Sequence, residues 1–183
     1  MNQEKTNKIG ALKTIAECKN LELQTRNQGD LAFAEAICER IYEISIDNLK
    51  SEIECERFSI NALKKDRPDL VKCINRKSID LLVKKYPGYA SLREVEIESL
   101  KATYSYEKIL RLKNGKRTQA TYTWRSIKNY GIVSKPRDTS GFTNLSEMGL
   151  KDYSFEAIVL KYPNAFSNSA VEQATFRFAG CAS

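Results

Sequence analysis

Apolar residues recur along this chain at spacings of three and four, the period of an α-helix with one buried face. Ile9, Leu12, Ile15, Ala16 and Leu23 form a first stripe. Asn27-Gln28-Gly29-Asp30 interrupts it, and Asp30 is a good N-cap for the next helix. Leu31, Ala34, Cys38, Ile41 and Ile44 make a second stripe, which the pattern extends through Leu49 and Ile53 to Phe58 as one long helix. A short polar turn between two such helices predicts an antiparallel hairpin.

A second group of helices is predicted beyond it. Asp66-Arg67-Pro68-Asp69 starts a helix with proline in its first turn, with Leu70, Ile74, Leu81 and Leu82 as its stripe and Tyr86-Pro87-Gly88 as its end. Ser91 and Glu94 form a capping-box pattern for a helix carrying Leu92, Val95, Tyr106 and Leu110, which stops at Asn114-Gly115. A helix from about Arg117 to Tyr130 ends at Gly131. The segment 132–141 reads as a loop, and short helices are expected near 142–148, 153–161 and 169–178. The fold class is therefore all-α, with an N-terminal helical hairpin over residues 1–65 and a compact multi-helix C-terminal region over 66–183.

One internal echo accompanies these elements. The segment 78–87, ending in Tyr86-Pro87, resembles 154–163, ending in Tyr162-Pro163, and Ser91, Val95 and Glu96 match Ser167, Val171 and Glu172 at the same offset. It reads either as a duplicated helix–turn–helix or as shared turn chemistry, an apolar helix closing on Tyr-Pro before a serine cap.

Composition removes many function classes. Histidine is absent, which excludes Ser-His and Cys-His pairs, histidine bases and histidine metal ligands. No two glycines stand as GxG, so the dinucleotide fingerprint and the phosphate-binding glycine loops are missing, as is GxSxG. Glu94 and Glu98 share a helical face. Two such carboxylates suit a divalent metal or acid–base work, but Lys101 beside Glu98 favours a solvated ion-paired face. Pro68-Asp69 resembles the first element of a nuclease motif whose Glu-x-Lys partner does not follow on a strand. The expectation is a protein without enzyme activity, cofactor or metal.

Five cysteines, Cys18, Cys38, Cys55, Cys73 and Cys181, have neither zinc nor disulfide-framework spacing and read as reduced thiols, mostly as small apolar residues within helices. Apolar runs are only a few residues long, far from the ~20 a membrane span needs. The start, Met1-Asn2-Gln3-Glu4-Lys5, has no leader pattern, and Cys181-Ala182-Ser183 is too short for a prenylation box. A cytoplasmic protein is expected.

Charge then changes the picture. The chain carries a net +7, yet residues 108–137 alone carry nine basic residues and no acid, leaving −2 for the rest. Concentrated basicity of this kind is the electrostatic footprint expected of phosphate binding. Read as helical, Arg117, Thr121, Arg125 and Lys128 line one face, while Ala120, Trp124 and Ile127 line the buried one. Lys113, Lys116, Lys135 and Arg137 flank that helix, and Tyr122 and Tyr130 have the chemistry to stack on unpaired bases. Nucleic acid, DNA or RNA, is the leading partner. The alternatives are an acidic protein partner, a homo-oligomer assembled through the apolar stripe of the hairpin, and a plain solvated surface.

Overall fold

The computed structural model describes residues 3–131, Leu145 and 150–180, and is all-α, with about 80% of these residues helical and no strand among them. It divides into two compact units, 1–77 and 78–183.

In the first unit, α1 (Gln3–Ala11), α2 (Ile15–Asn27), α3 (Leu31–Asp47), α4 (Glu52–Lys64) and the first part of α5 (Pro68–Lys84) succeed one another through short turns. The helices α2 and α3 pack as a hairpin around Cys18, Phe33, Ile37 and Ile44, with Ile9, Leu12, Ile15, Leu21 and Ile41 against that cluster. Asp30 caps α3 as expected, accepting from the Phe33 amide at 3.2 Å, and Gly29 supplies the left-handed φ of 78° in the turn. Two expectations fail here, both at caps the hydrophobic pattern runs across. Thr14 and Glu17 form a reciprocal capping box that restarts the helix after Leu12, so the buried row of α2 is Cys18, Leu21 and Thr25, while Ala16 and Leu23 face out. Ser51, whose hydroxyl accepts from the Glu54 amide at 3.2 Å, breaks the long helix in two, and Ile53 lies exposed on α4. Leu31, at the first position of α3, is also exposed. At the start of α5 the Arg67 guanidinium forks onto Asp69 at 2.6 Å and Glu39 at 2.7 Å, and this cation holds the Asp69 carboxyl down at about 2.

In the second unit the long α6 (Glu94–Asn114) is the central element. One of its sides meets Ile79 and Val83 of α5, Ile127 of α7 (Thr121–Tyr130), Leu145 and Leu150. Another, carrying Val95 and Ala102, meets Ile158 of α8 (Phe155–Lys161), with Phe155, Tyr162 and Phe166 alongside. The final helix, α9 (Asn168–Gly180), packs on α8 and is tied to it by Arg177 and Glu156 at 3.2 Å. The helix α6 starts two residues later than the Ser91 pattern predicts. Arg93 occupies the cap position, its amide donating to Glu96 at 2.8 Å, while the Ser91 hydroxyl donates to the Gly88 carbonyl. Its predicted stop stands, with Gly115 at a left-handed φ of 64°. In α5 the expected Leu70 and Ile74 are buried, but further along the helix the buried positions are Ile79 and Val83, with Leu81 and Leu82 half-buried.

The two Tyr-Pro segments share a plan but not a geometry. Tyr86-Pro87 is followed by Gly88 at φ 78° and a 3-10 turn at Tyr89–Ser91, with α6 seven residues past the proline. At the second site the 3-10 turn opens on Pro163 itself, Asn164 has no positive φ, and α9 begins five residues past the proline. Tyr86 stacks on Trp124, whereas Tyr162 packs beside Val95, Ala102 and Ile158. What the two segments share is a Tyr-Pro end and a 3-10 turn, with the proline at different spacings from the next helix. The second half of the echo does form helices close to where the pattern places them. The expected loop at 132–141 lies outside the described residues, as does the expected helix near 142–148 apart from Leu145, which is helical and buried.

Candidate nucleic-acid interface

The basic segment is built on the junction between α6 and α7. Lys113 sits in the last turn of α6, where a cation also complements the carbonyl end of the helix. Lys116 and Arg117 follow Gly115 in non-helical backbone. Arg117 is thus four residues before α7 begins, and only Thr121, Arg125 and Lys128 of the expected face are helical. The start of the helix is tied to α6 at the cap residue Ala120 and at Trp124. Glu107 of α6 accepts the Ala120 amide at 2.9 Å and the Trp124 indole N–H at 2.6 Å through one carboxylate oxygen. Trp124 is further held by Tyr86, stacked at a centroid distance of 6.1 Å, and by Tyr104, edge-on at 5.3 Å. With Ala120 and Ile127 buried beneath it, the inner side of α7 is fixed in rotation as well as position.

That rotation decides what α7 presents to solvent. At ~100° per residue, Lys128, Thr121, Arg125, Asn129 and Tyr122 fall within an arc of about 120°, and all five are exposed. Ser126 and Thr123 lie between this arc and the buried side, and are half-buried. Lys113, Lys116 and Arg117 are exposed too, and no ion pair engages these five cations among the described residues. The arrangement is a positively charged helix face with one hydroxyl, one amide and one phenol ring, anchored from behind by aromatic packing. Lys135 and Arg137 lie outside the described residues, as does the side chain of Tyr130.

Glu107 is the participant that periodicity does not reveal. Its partners lie 13 and 17 residues ahead, and only the unmet donors at the start of α7 point toward an acceptor. The carboxylates of the expected acidic face, Glu94 and Glu98, are absorbed by lysines. Lys101 meets Glu98 and Asp80, each at 3.3 Å, and Lys161 meets Glu94 at 3.4 Å. Burial pulls the Lys101 ammonium down, but the Asp80 and Glu98 charges outweigh it and leave the group raised. Among the described residues no group of three or more acidic or cysteine side chains is placed to hold a metal. Cys18 and Cys55 are buried, Cys38 is half-buried, and Cys73 is exposed rather than part of a core. No described helix is long and apolar enough to cross a membrane. Comparison with protein-family models, with curated proteins and with solved structures returns no match.

Proposed function

We propose that this is a non-enzymatic, cytoplasmic nucleic-acid-binding protein that holds DNA or RNA by its phosphates. The contacts come from Arg125, Lys128 and the Thr121 hydroxyl on α7 and from Lys113, Lys116 and Arg117 at the junction, with Lys135 and Arg137 extending the set along the chain. The observation that carries this reading is the exposed, acid-free face of α7. Its cations are spent on no internal ion pair among the described residues, and its rotation is locked by Glu107 and Trp124. Cations held on a rigid element displace condensed counterions from a phosphate backbone, so affinity falls steeply with salt. Changing Arg117, Arg125 and Lys128 together to Ala should lower the slope of log affinity against log salt on duplex DNA by about three units, at ~0.9 per phosphate released. Helicity should be unchanged, since all three side chains are exposed. A matched change of the exposed Lys8 and Lys19 should leave the slope alone. Equal binding by the triple variant and the wild type would refute the proposal.

A second reading rests on α4. Ile53, Ile60 and Leu63 share one face and are 61%, 53% and 61% exposed. Glu52 and Glu54 stand at one end of this helix and Lys64 and Lys65 at the other, so an antiparallel α4 of a second copy complements it in both apolarity and charge.

A further inference from the structure

We infer that the interface on α7 selects unpaired nucleic-acid strands over duplex, with Tyr122 as the surface on which a base stacks. The inference rests on the phosphate-binding reading and adds a ligand class to it. Tyr122 is 86% exposed, more than any other large apolar or aromatic side chain among the described residues. A phenol ring left in water at that extent contributes little to the folded state, and among the described residues the buried apolar side of α7 is made by Ala120, Trp124 and Ile127, on the other side.

The ring also stands in a particular company. Tyr122, Arg125 and Asn129 form one row at spacings of three and four, and Thr121, Arg125 and Lys128 form the adjacent row. Arg125 belongs to both rows. A strand whose phosphates run along the second row would bring its bases over the first, where the ring face takes the base and Asn129 offers an amide to its edge. A duplex keeps its bases stacked on one another and shows such a face only phosphates and groove edges, so Tyr122 has nothing to receive from it. Ring-on-base stacking tolerates every base and both sugars, so the preference is for single strands of either DNA or RNA rather than for a sequence.

The test uses the full-length protein and fluorescence anisotropy with labelled oligothymidylate, oligouridylate and a DNA duplex of the same length. Tyr122→Ala should weaken binding to both single strands by roughly 5- to 150-fold, the range for losing one stacked base. Duplex affinity and the salt slope should stay as in the wild type. Tyr122→Phe keeps the ring and should restore single-strand binding. The inference is overturned if Tyr122→Ala binds single strands like the wild type, if it weakens single strand and duplex alike, or if Tyr122→Phe loses as much as Tyr122→Ala. An Arg125→Ala, Lys128→Ala variant separates the two levels. If that variant weakens all three ligands while Tyr122→Ala weakens none, phosphate binding stands and base stacking falls. If the wild type binds no ligand at low salt, both fall.

Discussion

Glu107 accepts the Ala120 amide and the Trp124 indole through one oxygen, and so ties the start of a basic helix to the helix before it. The geometry places a negative charge at the amide end of α7, where it is favourable, and satisfies two donors that would otherwise lie partly buried without a partner. It also keeps that charge on the inner side of the helix, away from the exposed arc. Removing it separates stability from charge. Glu107→Ala should destabilise the protein by about 1.5–3 kcal/mol, the range for a hydrogen bond to a charged group. Glu107→Gln keeps an acceptor oxygen in place and should recover most of that. Urea denaturation checks both, and equal losses in the two variants would mean that the charge, not the acceptor, is what α7 needs. The surface residues carry a different lesson. Tyr122 is visible in the sequence as a candidate stacker, but its neighbour Trp124 has the same chemistry and the opposite fate. Helical phase alone assigns one outward and the other inward.

At the scale of elements, most helix ends are legible because they are local chemistry. Gly29, Gly115 and Gly131 all adopt the positive φ that a chain reversal or helix stop requires, and each marks an end that the pattern places correctly. Two of the errors arise where a cap lies inside an apolar stripe. Thr14 with Glu17, and Ser51 with Glu54, satisfy amides at a helix start while Ile15 and Ile53 beside them continue the spacing, so the stripe conceals the break. Each new start resets the phase, which is why Leu23 and Ile53 face solvent. The site shows the same limit. The inner face of α7 is readable, but the pattern carries Arg117 one turn too far into the helix, whose start is tied to an acceptor on α6. The caps lend themselves to measurement. Thr14→Ala and Ser51→Ala should each cost about 1 kcal/mol, within the usual range of roughly 0.5–2 for losing a side-chain cap. Ser91→Ala should cost less, since that hydroxyl bonds a turn carbonyl and caps no helix. Thermal unfolding of the three variants side by side would decide it, and a Ser51→Ala variant as stable as the wild type would argue that α3 and α4 run on as one helix in solution.

At the scale of the whole molecule, net charge is divided unequally between the two units. Residues 1–77 hold 14 basic and 13 acidic residues, a net +1, whereas residues 78–183 hold 16 and 10, a net +6. The exposed apolar face of α4 belongs to the first unit, and the basic arc of α7 to the second. A phosphate polymer at moderate salt feels charge only within about one Debye length, roughly 8–10 Å, so its binding should follow the local charge on α7 rather than the net charge of the chain. This makes amide hydrogen exchange a direct discriminator of the two functional readings. With a saturating single-stranded oligonucleotide, protection should rise in peptides covering 113–130 and stay unchanged across α2 and α3. Raising the protein concentration without ligand should instead protect α4 if a second copy covers Ile53, Ile60 and Leu63, and Ile60→Glu should abolish that change by setting a charge in the centre of the apolar row. Ligand-induced protection spread evenly over both units would show that binding follows net charge rather than the face on α7. Ligand-induced protection confined to α4 would move the functional surface to the first unit and leave the basic arc as solvated surface.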